Sequence, residues 1–195
     1  GSIGQAIADF GGIAIVAERM GYKIDYVHKA NDGHFLGSVN ELIFDNYLYE
    51  NQMSHEINGE ISDKSGHRYD FKIGDYYVEI WGFEKDRINN KICERYNKKR
   101  LEKEQLYKDL NLTVISIEAE LFRKSAEEIK LHFDEIAQTY KFKDVPSDNS
   151  LNIIQNTIKC YYYWTEEKII EELKNTVDHI GHLPTHQELV ELNLG

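Results

Sequence analysis

The stretch His67-Arg68-Tyr69-Asp70-Phe71-Lys72-Ile73-Gly74-Asp75-Tyr76-Tyr77-Val78-Glu79-Ile80-Trp81-Gly82 constrains the fold of this chain more than any other. Two strand-like runs, His67–Ile73 and Tyr76–Ile80, flank Gly74-Asp75, a two-residue hairpin signal of the Gly-X kind. A tight turn between adjacent strands brings Asp70 and Glu79 close together. Each acid sits inside an otherwise apolar or aromatic pattern, so each is a candidate for burial. Two neighbouring buried carboxylates are unfavourable unless positive charge neutralises the pair. A divalent cation does this in one step, and magnesium binds through one or two carboxylates together with waters and phosphate. The alternative is that both acids point outward from a solvated hairpin.

The surroundings extend the hairpin into a core. Ser38 is placed to cap a helix over Val39–Glu50, with Leu42, Ile43, Tyr47 and Leu48 as its apolar face. Ser54–Asn58 reads as a further strand, a long helix is expected from about Asn89 to Asp109, and the β-branched run Thr113–Ile117 reads as a buried strand. Ser125 caps an amphipathic helix ending near Tyr140. The order α-β-β-β-α-β-α predicts an α/β core over residues 38–140. Lys29–Gly37 and residues 146–150 read as linkers. Before the core, residues 1–30 read as a helical segment with short helices Ile3–Asp9 and Ile13–Met20. After it, residues 150–195 read as helices Leu151–Lys159 and Glu166–His179, a Gly181–Pro184 turn, and a helix begun by a Thr185/Glu188 capping box.

Composition removes some classes of function. With 41% hydrophobic and 29% charged residues the chain reads as an ordinary globular protein rather than a disordered one. No apolar run approaches the roughly 18 residues of a membrane helix, so no membrane partner is expected. Cys93 and Cys160 lack ligand spacing and read as reduced thiols of a cytoplasmic protein. His179, His182 and His186 lack a cysteine or carboxylate partner pattern and are not read as a zinc site. The net charge of −11 is unlike a nucleic-acid binder, yet Lys85 to Lys108 carries nine Lys/Arg against four acids, a local +5. That run is either a solvated helix face or a phosphate-gripping one.

Ser38-x-x-Glu41, Arg68-x-Asp70-Phe71, Val78-Glu79-Ile80-Trp81-Gly82, a helix bearing Tyr96 and lysines, and the returning strand Thr113–Ile117 together resemble the PD-(D/E)XK nuclease superfamily. The resemblance spans roughly Ser38 to Glu118, and the ordered set is more specific than any of its short motifs. It implies a restriction-endonuclease-like core and a metal-dependent endonuclease, of restriction, homing or defence type, that hydrolyses DNA phosphodiester bonds. Mg2+ is the implied cofactor, with Mn2+ able to substitute. Asp70, Glu79 and the backbone carbonyl of Ile80 are its implied ligands. One position departs from the pattern, because Trp81 stands where the superfamily usually has lysine. In some branches the following helix supplies that lysine instead. Here Lys103 is the first candidate and Lys99 the second, on a face shared with Tyr96, Arg100 and Tyr107. Otherwise these lysines only grip phosphate, or Trp81 marks an inactive site and the chain is a nucleic-acid-binding module on the same fold. Glu41 would complete a second metal site or hold a water, or else face solvent.

The flanks carry a second resemblance. Trp164-Thr165-Glu166-Glu167, Leu173, Gly181-His182-Leu183-Pro184-Thr185 and Glu188-Leu189 are similar to the opening half of a helical repeat associated with homing endonucleases. Gln5-Ala6-Ile7, Phe10-Gly11-Gly12 and Val16-Ala17-Glu18-Arg19-Met20-Gly21-Tyr22 are similar to its closing half. The order of the halves implies a longer natural chain with tandem repeats on both sides of the core. Apolar residues left by a split repeat (Ile7, Val16, Leu189) would pack on the core, on each other, or across a homodimer. Tyr161-Tyr162-Tyr163-Trp164 would stack on bases or pack between helices.

Overall fold

The computed structural model describes residues 16, 20, 28–62, 66–83, 91–161, 166–185 and 188. The chain divides into two compact units, Gly1–Ile158 and Lys159–Gly195. The first unit runs β1 (His28–Lys29), β2 (Phe35–Leu36), α1 (Val39–Glu50), β3 (Glu56–Ile57), β4 (Phe71–Ile73), β5 (Tyr76–Ile80), α2 (Lys91–Asp109) and β6 (Thr113–Ile117). A 3-10 turn (Ala119–Arg123), α3 (Ala126–Thr139) and α4 (Ser150–Tyr161) follow, with α4 belonging to this unit as far as Ile158.

The main sheet has the order β3-β4-β5-β6. The β4–β5 pair is an antiparallel hairpin in which Phe71 faces Val78 and Ile73 faces Tyr76, leaving Gly74-Asp75 as the loop. Gly74 takes φ +57, the left-handed conformation that the first loop residue of such a turn requires. β5 and β6 pair in parallel, a geometry no short turn can join, and α2 supplies the crossover.

Strand alternation then assigns the faces. Phe71, Ile73, Val78, Ile80, Ile115 and Ile117 pack with Leu42, Ile43, Phe44, Tyr47 and Leu48 of α1 and Ile129, Phe133 and Ile136 of α3 in one buried core. Tyr107 of α2 packs with Ile61 and Tyr69 on a second, smaller cluster, with Tyr77 and Val114 against it. The sheet is therefore a middle layer, with α1 and α3 on one face and α2 on the other. Ser38 caps α1 by accepting the Glu41 N–H at 3.1 Å, and Ser125 with Glu128 forms a full capping box on α3.

Three expectations change. Lys29–Gly37 is an ordered hairpin rather than a linker: β1 and β2 pair antiparallel, and the Asn31 N–H donates to Asn46 Oδ1 of α1 at 2.9 Å. The strands expected over 54–58 and 67–73 are shorter: the chain bends at Asp70 before β4, and upstream the two segments are joined by a Glu60–Arg68 bridge and by the Asn58–Asp70, Tyr69–Gly59 and Ile61–His67 backbone hydrogen bonds. The start of α4 belongs to the core unit instead of a separate C-terminal segment. Ile154 is fully buried in the main core, Ser150 Oγ accepts from Asn51 Nδ2 at 2.8 Å, and Thr157 Oγ1 accepts from Asn46 Nδ2 at 3.2 Å. The 146–150 segment is tied down too, the Ser147 N–H donating to Asn51 Oδ1 at 2.6 Å.

The second unit contains α5 (Glu166–Ile180), closed by Gly181 at φ +80. The expected Thr185 cap is present: the Thr185 N–H and hydroxyl donate to Glu188 Oε2 at 2.8 and 2.7 Å. The N-terminal helices expected over 3–20 lie outside the described residues apart from Val16 and Met20, as do Tyr162, Tyr163, Trp164, His186 and Leu189. Among the described residues no helix is long and apolar enough to cross a membrane.

Candidate active site

Glu79 lies on β5 with its side chain on the α2 face of the sheet, and it is 1% exposed. A carboxylate there must be answered by α2, and two residues one turn apart do so. Lys103 Nζ donates to Glu79 Oε2 at 2.5 Å, and the Tyr107 hydroxyl donates to Glu79 Oε1. Burial, then the charge of Asp70, pushes the Glu79 carboxyl up to about 8 against the pull of Lys103 and Tyr107. The same burial and the same carboxylate raise the Tyr107 phenol.

Asp70 occupies the bend before β4. In an unbroken hairpin the Ile80 N–H would continue the ladder, but here it donates to Asp70 Oδ2 at 2.7 Å. The other oxygen, Oδ1, lies 4.0 Å from Lys103 Nζ. Burial raises the Asp70 pKa, with Lys103 and the Ile80 N–H opposing. An extended residue presents its N–H and C=O to the same strand edge, so the Ile80 carbonyl lies on the Asp70 edge of β5.

Glu41 enters the same cavity from the first turn of α1. Its carboxylate accepts from Ser38 Oγ at 2.8 Å and from the Gly37 N–H at 3.1 Å. Burial and then the Asp70 charge raise its pKa, while Ser38, Gly37 and Lys103 oppose the rise. Glu41 therefore lines the same cavity as Asp70 and Glu79.

Trp81 follows on the Glu79 face of β5 and is 4% exposed. Its ring lies beneath Arg100, 4.3 Å from the guanidinium, and Lys103 Nζ is 5.8 Å from the same ring. Arg100 also lines the cavity, but its guanidinium is committed to acids other than Asp70 and Glu79. It grips Glu118 with two bonds of 2.9 and 2.6 Å and donates to Glu104 at 2.9 Å. Lys99 lines the cavity but remains exposed, whereas Lys103 is half-buried between the carboxylates. The Tyr96 hydroxyl accepts the Gly82 N–H at 2.6 Å, fixing the chain just past Trp81.

The cavity formed by these groups measures about 400 Å³, and His67 and Arg68 add to its lining. Its lining sets three carboxylates, Glu41, Asp70 and Glu79, beside Arg68, Lys99, Arg100 and Lys103, and of these cations it is Lys103 that pairs with Asp70 and Glu79. Its donors are carboxylate oxygens and a backbone carbonyl edge, the hard-oxygen set that suits Mg2+ or Mn2+. Sequence reasoning put Tyr107 on the correct helix face without assigning it a function, although its spacing four residues after Lys103 signalled a shared target. Arg68 and His67 were missed as lining residues; both precede Asp70 in a run read as strand. Compared with protein-family models, curated proteins and solved structures, the chain matches none of them.

Proposed function

We propose that this chain is a metal-dependent endonuclease that hydrolyses DNA phosphodiester bonds on a restriction-endonuclease-like form of the α/β fold. One observation carries the reading: Lys103 bridges Asp70 and Glu79 from the helix that follows their hairpin. Asp70, Glu79 and the Ile80 carbonyl would hold Mg2+, or Mn2+ in its place. When bound, that ion supplies Lewis-acid stabilisation of the phosphoryl oxygens and a more acidic water.

The remaining work falls to this chain's residues. Lys103, held by both carboxylates, offsets the negative charge that develops at phosphorus and orients the attacking water. Glu41 accepts a hydrogen bond from a water on the α1 side of the cavity. Tyr107 fixes the rotamer of Glu79, so the carboxylate is preorganised before substrate arrives. Lys99 and Arg68 add positive charge along the cavity lining, where a phosphate backbone would approach.

Nicking of supercoiled plasmid with Mg2+ or Mn2+ tests the proposal. Cleavage that chelation abolishes and Asp70→Asn removes supports it. DNA binding without cleavage supports a binding module on the same fold, and neither binding nor cleavage overturns both.

A further inference from the structure

Outside the acidic cavity, the first unit holds another cluster of ligating groups. One ligand atom from each of Asp32, His34, Asp45 and His55 lies within 4.8 Å of the others. We propose that these four side chains form a separate site for a divalent transition ion of the zinc type, clipping the β1–β2 hairpin and the 53–57 segment to α1.

Four contacts share the same four atoms. His34 Nδ1 is 3.0 Å from Asp32 Oδ2 and 3.0 Å from Asp45 Oδ2. His55 Nε2 is 3.4 Å from Asp32 Oδ2 and 3.3 Å from Asp45 Oδ2. An ordinary hydrogen-bond network spreads over different lone pairs, whereas here each oxygen faces both rings and each ring faces both oxygens. A tetrahedral ion with bonds of about 2.0–2.1 Å sets its ligands roughly 3.3–3.4 Å apart. The four histidine–aspartate edges, at 3.0–3.4 Å, are close to that spacing, and the two remaining edges are no longer than 4.8 Å.

The outer contacts orient the ligands. His55 Nδ1 is 2.9 Å from the Met53 carbonyl, a partner that only an N–H satisfies. In the neutral ring this leaves the lone pair on Nε2, facing the two carboxylates. Asp32 is set by the His34 N–H, which donates to its Oδ1 at 3.0 Å.

Asp45 supplies an independent argument. It is fully buried in the apolar run of α1, and its Oδ1 has no hydrogen-bond partner among the described residues. The charge of this buried carboxylate is therefore answered at Oδ2, the oxygen that faces both rings, and an ion there would supply the neutralisation that two neutral imidazoles do not. His34, 32% exposed, leaves an approach from solvent. The imidazole–carboxylate set favours zinc over magnesium.

Cobalt titration of the chelator-stripped full chain tests the site, because tetrahedral Co2+ absorbs visibly where octahedral Co2+ scarcely does. One equivalent should give an intense band that Zn2+ displaces. The band should persist in an Asp70→Asn/Glu79→Gln double variant and vanish in Asp45→Asn and His55→Gln. If either buried variant misfolds by circular dichroism, the more exposed His34→Gln provides the reading, with affinity expected to fall about tenfold or more. No band in the parent chain, a band unchanged by the cluster substitutions, or one lost with Asp70 and Glu79 would each overturn the assignment. None of these readouts involves DNA cleavage, so the nuclease proposal stands or falls separately.

Discussion

Lys103 Nζ reaches Glu79 Oε2 at 2.5 Å across 24 residues of chain, and Trp81 lies between their elements as the floor on which the lysine rests. A lysine at position 81 would rise from the same strand face as Glu79. Here that space is filled by an indole, and the ammonium arrives from α2 instead. The ammonium thus stands against Glu79 from α2, and the indole stacks under Arg100.

Removing either metal-binding candidate tests the chemistry directly. Asp70→Asn and Glu79→Gln are each expected to lower plasmid cleavage by about a thousandfold or more, several kcal/mol of transition-state stabilisation. DNA affinity in a gel-shift assay should stay within a few-fold, since it rests on phosphate contacts elsewhere. Wild-type cleavage by either variant would remove that residue from the site.

The two candidate lysines should separate. Lys103→Ala is expected to reduce turnover by about a hundredfold or more, while exposed Lys99→Ala should stay within about tenfold. Adding Trp81→Lys to Lys103→Ala should recover part of the loss, because position 81 shares the Glu79 face. Equal and small losses from both alanines would reduce α2 to bulk positive charge.

The hairpin and the α2 crossover were legible because their signals are local. Gly74-Asp75 sets the turn, and the alternation Tyr76–Ile80 sets which side chains face α2. The β1–β2 hairpin was not legible, because its strands are two residues each and its Asn-Asp-Gly loop has the composition of a linker. What orders it is tertiary: Asn46 of α1 holding the Asn31 N–H, and the Asp45 cluster. The one local hint was Asp45 itself, an acid in the middle of an apolar helix run. The bend at Asp70 was hidden for a similar reason, since nothing nearby in sequence shows that the carboxylate takes the Ile80 N–H.

Tyr107→Phe isolates one hydrogen bond. Tyr107 is buried, and its hydroxyl satisfies one Glu79 oxygen. Phenylalanine keeps the packing of the smaller core and leaves that oxygen unanswered, so stability should fall by about 1–3 kcal/mol. Added Mg2+ should narrow the gap, because the ion takes over the carboxylate. Urea melts of both proteins, with and without Mg2+, measure this. An unchanged midpoint without metal would mean that the hydroxyl holds nothing.

The raised Glu79 carboxyl gives a pH dependence whose sign is fixed. Its value moves from about 4.5 in the open chain to about 8 in the folded, metal-free protein. Between those limits the folded state binds more protons than the unfolded state, so stability falls as pH rises across the window. The effect is on the order of a few kcal/mol and levels off above about pH 8. Metal binding requires the ionised carboxylate, so apparent Mg2+ affinity should rise over the same range and release protons as it does. Thermal melts at pH 5, 6.5 and 8, with chelator and with Mg2+, compare the two limbs. The chelated protein should lose stability with pH while the gain from Mg2+ grows. Glu79→Gln should flatten both trends, and a chelated protein that grows more stable from pH 5 to 8 would reverse the assigned electrostatics of the cavity.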